Sequence, residues 1–440
     1  MFWPAALSLA LPLFFGTGAL ALLALGLGPE PGKGWERNAQ FAGTALLLGL
    51  LADAAVVCLS GSLVWGALFC ALAGALGWLR LGRPRLGIPR WPVVLIGLAA
   101  VLYLAKIVAT PMEGWDGRSI WFYHAKLLFT DQGFVPTSWT NPADVFSHAN
   151  YPVLFPILAA QIARMAGFWN EFLPKLGLFW LLAPGLLLLG GLAARRLLFI
   201  AAFLILLPAM GFRLWYGSVD GYLALYVSLG FIYAVLWSRE GSARDLSAAL
   251  ASLGCALALK DEAKLAVLAV ITFFAAAWPW RYKAWRSFLG QLSWGRWMVL
   301  SLLCLSELLA WEFRRRGWGL ESDLKLGSEE YLARAEGRLG SLLWIAHILA
   351  RDGRLIAGWT MSGLVVALHW RRFPEAMPEW LGISLAQVVF LGVMLYVYLG
   401  TPMEISWHLA NSAKRVMLTP FCFMALSFLA AVSTPEKQNG

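Results

Sequence analysis

Long apolar stretches broken by short polar runs dominate the chain from Phe2 to Val432. Windows of roughly 17–25 apolar residues, the length that crosses a bilayer core, predict spans over 4–27, 41–59, 62–79, 91–109, 152–168, 173–192, 195–212, 219–237, 245–259, 263–279, 296–312, 353–370, 380–399 and 413–432. Ser60-Gly61-Ser62 leaves a very tight turn, so 41–79 reads as two helices or as one bent helix. The expected fold class is all-α: a polytopic integral membrane protein of about 12–14 transmembrane helices.

Composition sharpens this reading. The 440 residues are 60% hydrophobic and 14% charged, with a mean hydropathy of +0.68. Soluble chains carry about 25% charged residues, which excludes a water-filled domain and a receptor with one anchor. Lys+Arg 35 against Asp+Glu 25 gives a net charge of +10. These charges are scattered at predicted helix ends, so they describe membrane topology and not nucleic-acid binding. The five cysteines sit in apolar stretches without a CxxC pair, which argues against a disulfide scaffold or a zinc site. Met1-Phe2-Trp3-Pro4 offers no basic region ahead of the first apolar run, so that run is expected to be a retained span.

Cytoplasmic loops collect Lys and Arg. Arg80, Arg83, Arg85 and Arg90 place the connector before 91–109 on that side, and 110–151 on the other. Arg195-Arg196, Arg239 with Arg244, Arg281-Tyr282-Lys283 with Arg286, and Arg371-Arg372 also read as cytoplasmic. The parity closes only if 152–168 or 173–192 is a partial, re-entrant segment buried against protein; otherwise Arg195-Arg196 snorkels on the outer side. The loops 110–151, 213–219, 260–262, 313–352 and 400–412 then share the outer face. We divide the chain into N-terminal helices, 1–90, and a core, 91–440, that includes outer loops 110–151 and 313–352.

Candidate chemistry lies in those outer loops. Asp116, between Gly114-Trp115 and Gly117-Arg118, can present a carboxylate at the lipid interface and accept a proton from a hydroxyl; the plainer reading is an N-cap for a helix over 119–129. That helix carries His124 and Lys126 and reads as lying in the interface plane. Arg118 and Lys126 suit a lipid headgroup phosphate. His148 precedes Tyr151-Pro152 and Pro156, whose prolines stiffen the entrance to the next span. Asp220, in Arg213, Tyr216, Gly217, Ser218, Asp220 and Tyr222, is a second acid or the cap of span 219–237. Lys260-Asp261-Glu262-Ala263-Lys264 puts four charges into an apolar stretch, where Lys260 and Lys264 could share one face with a phosphate or serve as turn charges. On a helix from Ser406, His408, Asn411, Ser412 and Arg415 form a polar stripe, with Arg415 suited to phosphate or to anchoring the next span. Asp53, Lys106 and Glu307 stand inside predicted spans, where ionisable groups are functional or paired. No phosphate-loop, dinucleotide, HExxH or GxSxG motif is present.

Trp115-Asp116-Gly117 with the following helix and Tyr151-Pro152/Pro156, the later acid Asp220, Lys260-Asp261-Glu262, and Trp407-His408-Leu409 with Ser412 through Arg415 together resemble the C-type glycosyltransferases. The resemblance is scattered over roughly 91–415. The loop has one acid where many relatives have an adjacent Asp-Glu pair, unless Glu113 substitutes. The outline is similar to protein mannosyltransferases and lipid A aminoarabinose transferases. It implies a C-type fold with interfacial helices in the first outer loop. It also implies inverting transfer of a sugar from a polyprenyl-phosphate-linked donor to an acceptor hydroxyl, without a cofactor or obligatory metal. Asp116, with Glu113 and Asp220, would be catalytic. Arg118, Lys126, His148, Tyr151, Lys260, Glu262, Lys264, His408 and Arg415 would bind substrate. The implied setting is the bacterial inner membrane, with the site facing the periplasm and membrane lipids around it. A lipid-linked glycan flippase, or an O-antigen polymerase or ligase, are the rival readings.

Overall fold

The computed structural model describes residues 3–29, 34–81, 91–211, 216–290, 293–321 and 325–433. Arg83, Arg85, Arg90, Arg213 and Asp323 lie outside the described residues. The helices are α1 (Trp3–Ala24), α2 (Trp35–Ser60), α3 (Leu63–Leu81), α4 (Trp91–Ala109), α5 (Phe122–Thr130), α6 (Pro136–Trp139), α7 (Leu154–Ala166), α8 (Leu176–Gly191), α9 (Arg196–Met210) and α10 (Asp220–Glu240). There follow α11 (Ala243–Leu259), α12 (Ala263–Leu289), α13 (Trp294–Cys304), α14 (Ser306–Gly317), α15 (Glu329–Gly337), α16 (Leu342–Ala350), α17 (Gly353–Leu368), α18 (Phe373–Gly400), α19 (Ile405–Val416) and α20 (Leu418–Val432). The chain is a multi-pass, all-α membrane protein. Among the described residues, eight helical segments are long and apolar enough to cross a bilayer, and five shorter apolar helices of 10–17 residues accompany them. That is fewer full-length spans than the 12–14 expected.

Particular elements explain the difference. The predicted span 296–312 is broken at Leu305 into α13 and α14. The predicted span 413–432 survives, running from the end of α19 into α20 within the crossing segment Ile405–Val432. Conversely, the basic run 281–286 is not a loop, because α12 continues through Pro279 to Leu289. There Arg281 turns onto Glu379, and the indole of Trp285 donates to the Ser238 carbonyl at 3.2 Å. At Ser60-Gly61-Ser62 the chain does make two helices, with Gly61 in the left-handed region at φ 77°.

Buried throughout most of its length, α10 is the central strut. Its 21 residues rise about 31 Å, close to the thickness of a hydrocarbon core. Along one side, the hydroxyls of Tyr222, Tyr226 and Tyr233 donate to the carbonyls of Leu178, Leu181 and Leu188 on α8. Such interhelical hydrogen bonds tie helices together where lipid offers no hydrophobic drive between them. On another side, Phe231 stacks on Phe423 of α20 at 4.6 Å. At the N-terminal edge of the bundle, backbones touch directly: a Cβ on Gly18 would stand 1.8 Å from the Ala45 carbonyl oxygen, so only glycine lets α1 and α2 approach this closely.

The two ends of α10 mark two ends of the molecule. At its C-terminal end Arg195 pairs with Glu240, Arg239 donates to the Ala431 carbonyl, and Arg281 grips Glu379. Around its N-terminal end gather the loops predicted to be outer. Arg314 donates to Cys58 O, Arg334 to Gly400 O at 3.1 Å and Arg338 to Thr401 O at 2.6 Å.

The thirteen residues of α7 rise about 20 Å, too short to cross. The chain enters α7 beside Trp311, whose indole donates to Asn150 O at 3.3 Å, and leaves it at Glu171, whose carbonyl accepts from Met112 N–H at 3.0 Å. Both ends of α7 therefore stay among the loops around the N-terminus of α10. The segment is the partial one that the parity of 152–168 and 173–192 requires, and Arg195 reaches the end that carries Arg239. Of the intramembrane groups, Asp53 is buried and accepts from Gln161 Nε2 at 2.8 Å and Cys70 Sγ at 3.6 Å. Glu307 is buried on α14, and Lys106 is exposed on α4.

Candidate functional site

The site begins where α11 stops. Lys260 leaves the helix with extended backbone, φ −161° and ψ 145°, and α12 starts only at Ala263. This break sends the two lysines apart, contrary to the expected shared face. Lys260 turns inward, with Nζ 2.9 Å from Asp220 Oδ1 and 2.8 Å from Glu262 Oε1. Lys264 stays exposed, 2.6 Å from Asp261 Oδ1 and 3.7 Å from Glu312. Burial pulls the Lys260 ammonium toward its neutral form, but Asp220 and then Glu262 outweigh it and hold the group well above its usual value.

Asp220 opens α10 and is almost fully buried. Its Oδ1 takes Lys260, and its Oδ2 accepts from the Ser218 hydroxyl at 2.6 Å. Arg415 Nη1 lies 3.8 Å from the same Oδ2. A helix N-terminus favours a carboxylate, and here the carboxylate serves two cations as well.

Arg415 arrives on α19. Glu404 caps this helix, accepting from Ser406 N at 3.0 Å and Trp407 N at 2.7 Å. The Ser406 hydroxyl first, with the Ser406 and Trp407 backbone amides, holds the Glu404 carboxyl down at about 2. The anticipated stripe divides. Asn411 is exposed and donates to its own helix at Trp407 O, whereas Ser412 is buried, and His408 and Arg415 are half-buried. His408 Nδ1 meets Thr401 Oγ1 at 2.8 Å, and Ser412 Oγ meets Tyr398 OH at 2.9 Å. Arg415 Nη1 donates to Asp116 Oδ2, while its Nε is buried with no hydrogen-bond partner among the described residues.

Asp116 is therefore not a side-chain cap. Its backbone is already helical (φ −58°, ψ −39°), its side chain makes no capping bond, and a π-helical turn over Gly117–Trp121 leads into α5. A Cβ on Gly117 would lie 2.6 Å from Tyr216 O. Glycine there lets the loop press on the 216–218 turn, which brings Asp116 beside Asp220 and Arg415.

The remaining candidates sit around this centre. Glu113 is half-buried at the start of the loop. Arg118 is exposed and donates from Nε to Met112 O at 3.0 Å, and Lys126 is exposed on α5. His148, with φ 52°, stacks on Tyr151 at 5.0 Å, and Tyr151 packs on Trp121 at 5.7 Å. His124 departs from the interfacial expectation: it is buried, stacked on Trp139 at 4.6 Å, with Nε2 3.2 Å from Ser147 Oγ. Burial, and secondarily His148, pushes its imidazole down to about 3.

Two residues near the site escaped sequence reasoning. Lys175 is fully buried, with Nζ 2.8 Å from Thr110 O, 2.8 Å from Thr110 Oγ1 and 3.1 Å from Pro111 O, and so tethers the root of the first loop. A lone lysine in the apolar run 173–192 carried the same signal as Lys106. Tyr398 had no such signal, since a tyrosine at a helix end reads as an interfacial aromatic. Among the described residues, no three of His, Cys, Asp or Glu converge as a metal-holding group.

The chain matches no protein-family model, no curated protein and no solved structure. What the geometry itself offers is a chain of ion pairs at one end of a membrane bundle, running Asp116, Arg415, Asp220, Lys260, Glu262.

Proposed function

We propose that the protein is a membrane glycosyltransferase of the C-type outline that moves a sugar from a polyprenyl-phosphate-linked donor to an acceptor hydroxyl. The observation that carries the reading is Arg415: a guanidinium shared by two carboxylates, with a buried Nε still unused. Arginine's planar fork matches two phosphate oxygens. In this scheme Asp116 takes the proton of the acceptor hydroxyl as its oxygen bonds to the anomeric carbon from the face opposite the phosphate. The bond from the anomeric carbon to the phosphate oxygen breaks, its electron pair leaves with the prenyl phosphate, and configuration inverts. Arg415 and Lys260 oppose the charge that grows on the departing phosphate. His408 lies on the same helix face as Arg415, and Tyr151 is near enough to act electrostatically on Lys260.

The setting supports the reading in two ways. The described parts of the loops expected to be outer, 110–151, 216–219, 260–262, 313–321, 325–352 and 400–412, contribute to one end of the bundle, and Arg195, Arg239 and Arg281 lie at the other. In the orientation expected from the short loops the site faces away from the cytoplasm, toward the periplasm if the membrane is a bacterial inner one. The exposed sides of α3 and α4 are apolar and suit contact with lipid tails.

The test is transfer from a radiolabelled polyprenyl-phosphate sugar by purified protein in lipid. Asp116→Asn should slow turnover about 10³-fold, the scale of a lost general base, while the donor still binds. Wild-type turnover in that variant would remove the base assignment.

A further inference from the structure

Arg415 meets its two carboxylates on different terms. Asp220 is a fixed partner. Its side chain is 5% exposed, it begins α10, and its oxygens are filled by Lys260 and Ser218, with Arg415 standing off at 3.8 Å. Asp116 is an exchangeable partner. Its side chain is 26% exposed on a loop helix, and Arg415 is the ion-pair partner it finds among the described residues. Arg415 in turn spends one nitrogen, Nη1, on both acids.

From this asymmetry we infer that the Asp116 carboxylate and the phosphate of a lipid-linked sugar compete for Arg415, so that arrival of the donor displaces Asp116 and frees it for the acceptor hydroxyl. This rests on the sugar-transfer reading above. A donor phosphodiester carries one charge, like the carboxylate, but its two non-bridging oxygens can take both prongs of the guanidinium, including the Nε that Asp116 leaves unused. Holding both anions on one guanidinium presses like charges together in a partly desolvated place, where their repulsion is poorly screened. The buried Asp220 stays and keeps Arg415 in register. Binding is thereby ordered, donor first, and the base is released only beside a loaded donor.

The experiment titrates farnesyl monophosphate, and in parallel inorganic phosphate, into the full-length chain in nanodiscs. Asp116→Asn should bind farnesyl monophosphate about fivefold more tightly than wild type, the upper range for a surface-type ion pair that no longer competes. Asp131→Asn, which removes a charge from the same loop without touching Arg415, should match wild type. Arg415→Ala should lose binding. Hydrogen exchange on the wild type gives a readout that needs no variant: amides over 115–121 should exchange faster once farnesyl monophosphate is added. Unchanged or weaker binding by Asp116→Asn, or exchange over 115–121 that does not rise, overturns the competition while leaving phosphate recognition standing. A wild type that binds no farnesyl monophosphate, or binds inorganic phosphate equally well, overturns the lipid-donor reading and the competition with it.

Discussion

The two ends of the bundle both carry buried ion pairs, and they are built differently. At the Arg195 end, Glu379 is fully buried and fully used: Arg281 donates Nε to one oxygen at 2.8 Å and Nη2 to the other at 2.9 Å, and Ser238 adds a third bond at 2.8 Å. At the Asp116 end, Arg415 gives one nitrogen to two acids and leaves a buried Nε idle. Saturation marks architecture. An idle buried Nε is shared by Arg195 and Arg315, so what sets Arg415 apart is that its one bonded nitrogen serves two acids, one of them partly exposed.

That contrast breaks if the saturated pair proves dispensable. Arg281→Ala strands the Glu379 carboxylate in the interior and should cost about 3 kcal/mol, the range for one lost partner of a buried pair. Thermal unfolding in detergent reads it, and an unchanged Tm would erase the distinction. Arg415→Ala should behave oppositely, leaving Tm within a few degrees while weakening donor binding about 100-fold, as for a lost bidentate arginine contact. Equilibrium binding of the polyprenyl-phosphate sugar checks this.

Acid sharpens the comparison. His124 is held neutral in the fold down to about pH 3, whereas an unfolded histidine takes up its proton near 6.5. The unfolded state therefore binds more protons below 6.5, and stability falls by about 1.4 kcal/mol per pH unit between 6.5 and 3. Because His124 stacks on Trp139 inside the first loop, proteolysis of 110–151 should accelerate from pH 6.5 to pH 5. His124→Gln should flatten that dependence. The smallest effect belongs to Glu404, whose depressed carboxyl supports α19 at pH values above about 4.5 and loses that support as pH falls through about 2. Glu404→Gln should lower Tm slightly at pH 7 and not at pH 2.

Much of this was legible along the chain. Apolar run length located the helices, whereas loop charge did not mark one end, since Arg314, Arg334, Arg338, Lys260 and Arg415 gather opposite Arg195, Arg239 and Arg281. Charge parity narrowed the partial segment to 152–168 or 173–192 without choosing between them, and helix length decides for 152–168. Periodicity placed His408, Ser412 and Arg415 on one stripe, although it gave no reason for Asn411 to fall outside. Spacing failed at Lys260 and Lys264, since a four-residue interval implies a shared face only if the helix continues, and the chain is extended at Lys260. The burial of His124 was hidden as well. Its partner Trp139 comes from a loop whose fold depends on Phe134, Trp311 and Trp318 packing together, and no local pattern reports such a cluster.

The amide of Val153, at the start of α7, reaches Glu307 Oε1 at 3.4 Å, across 154 positions of sequence. A ribosome feeding this chain into a membrane finishes α7 long before it makes the residue that accepts that proton. The segment therefore has to wait, sheltered by earlier helices, until α14 emerges, and this places the closing of this end of the bundle late in biogenesis. Chains truncated between α7 and α14 should accordingly integrate into the bilayer yet leave 150–175 open to an added protease.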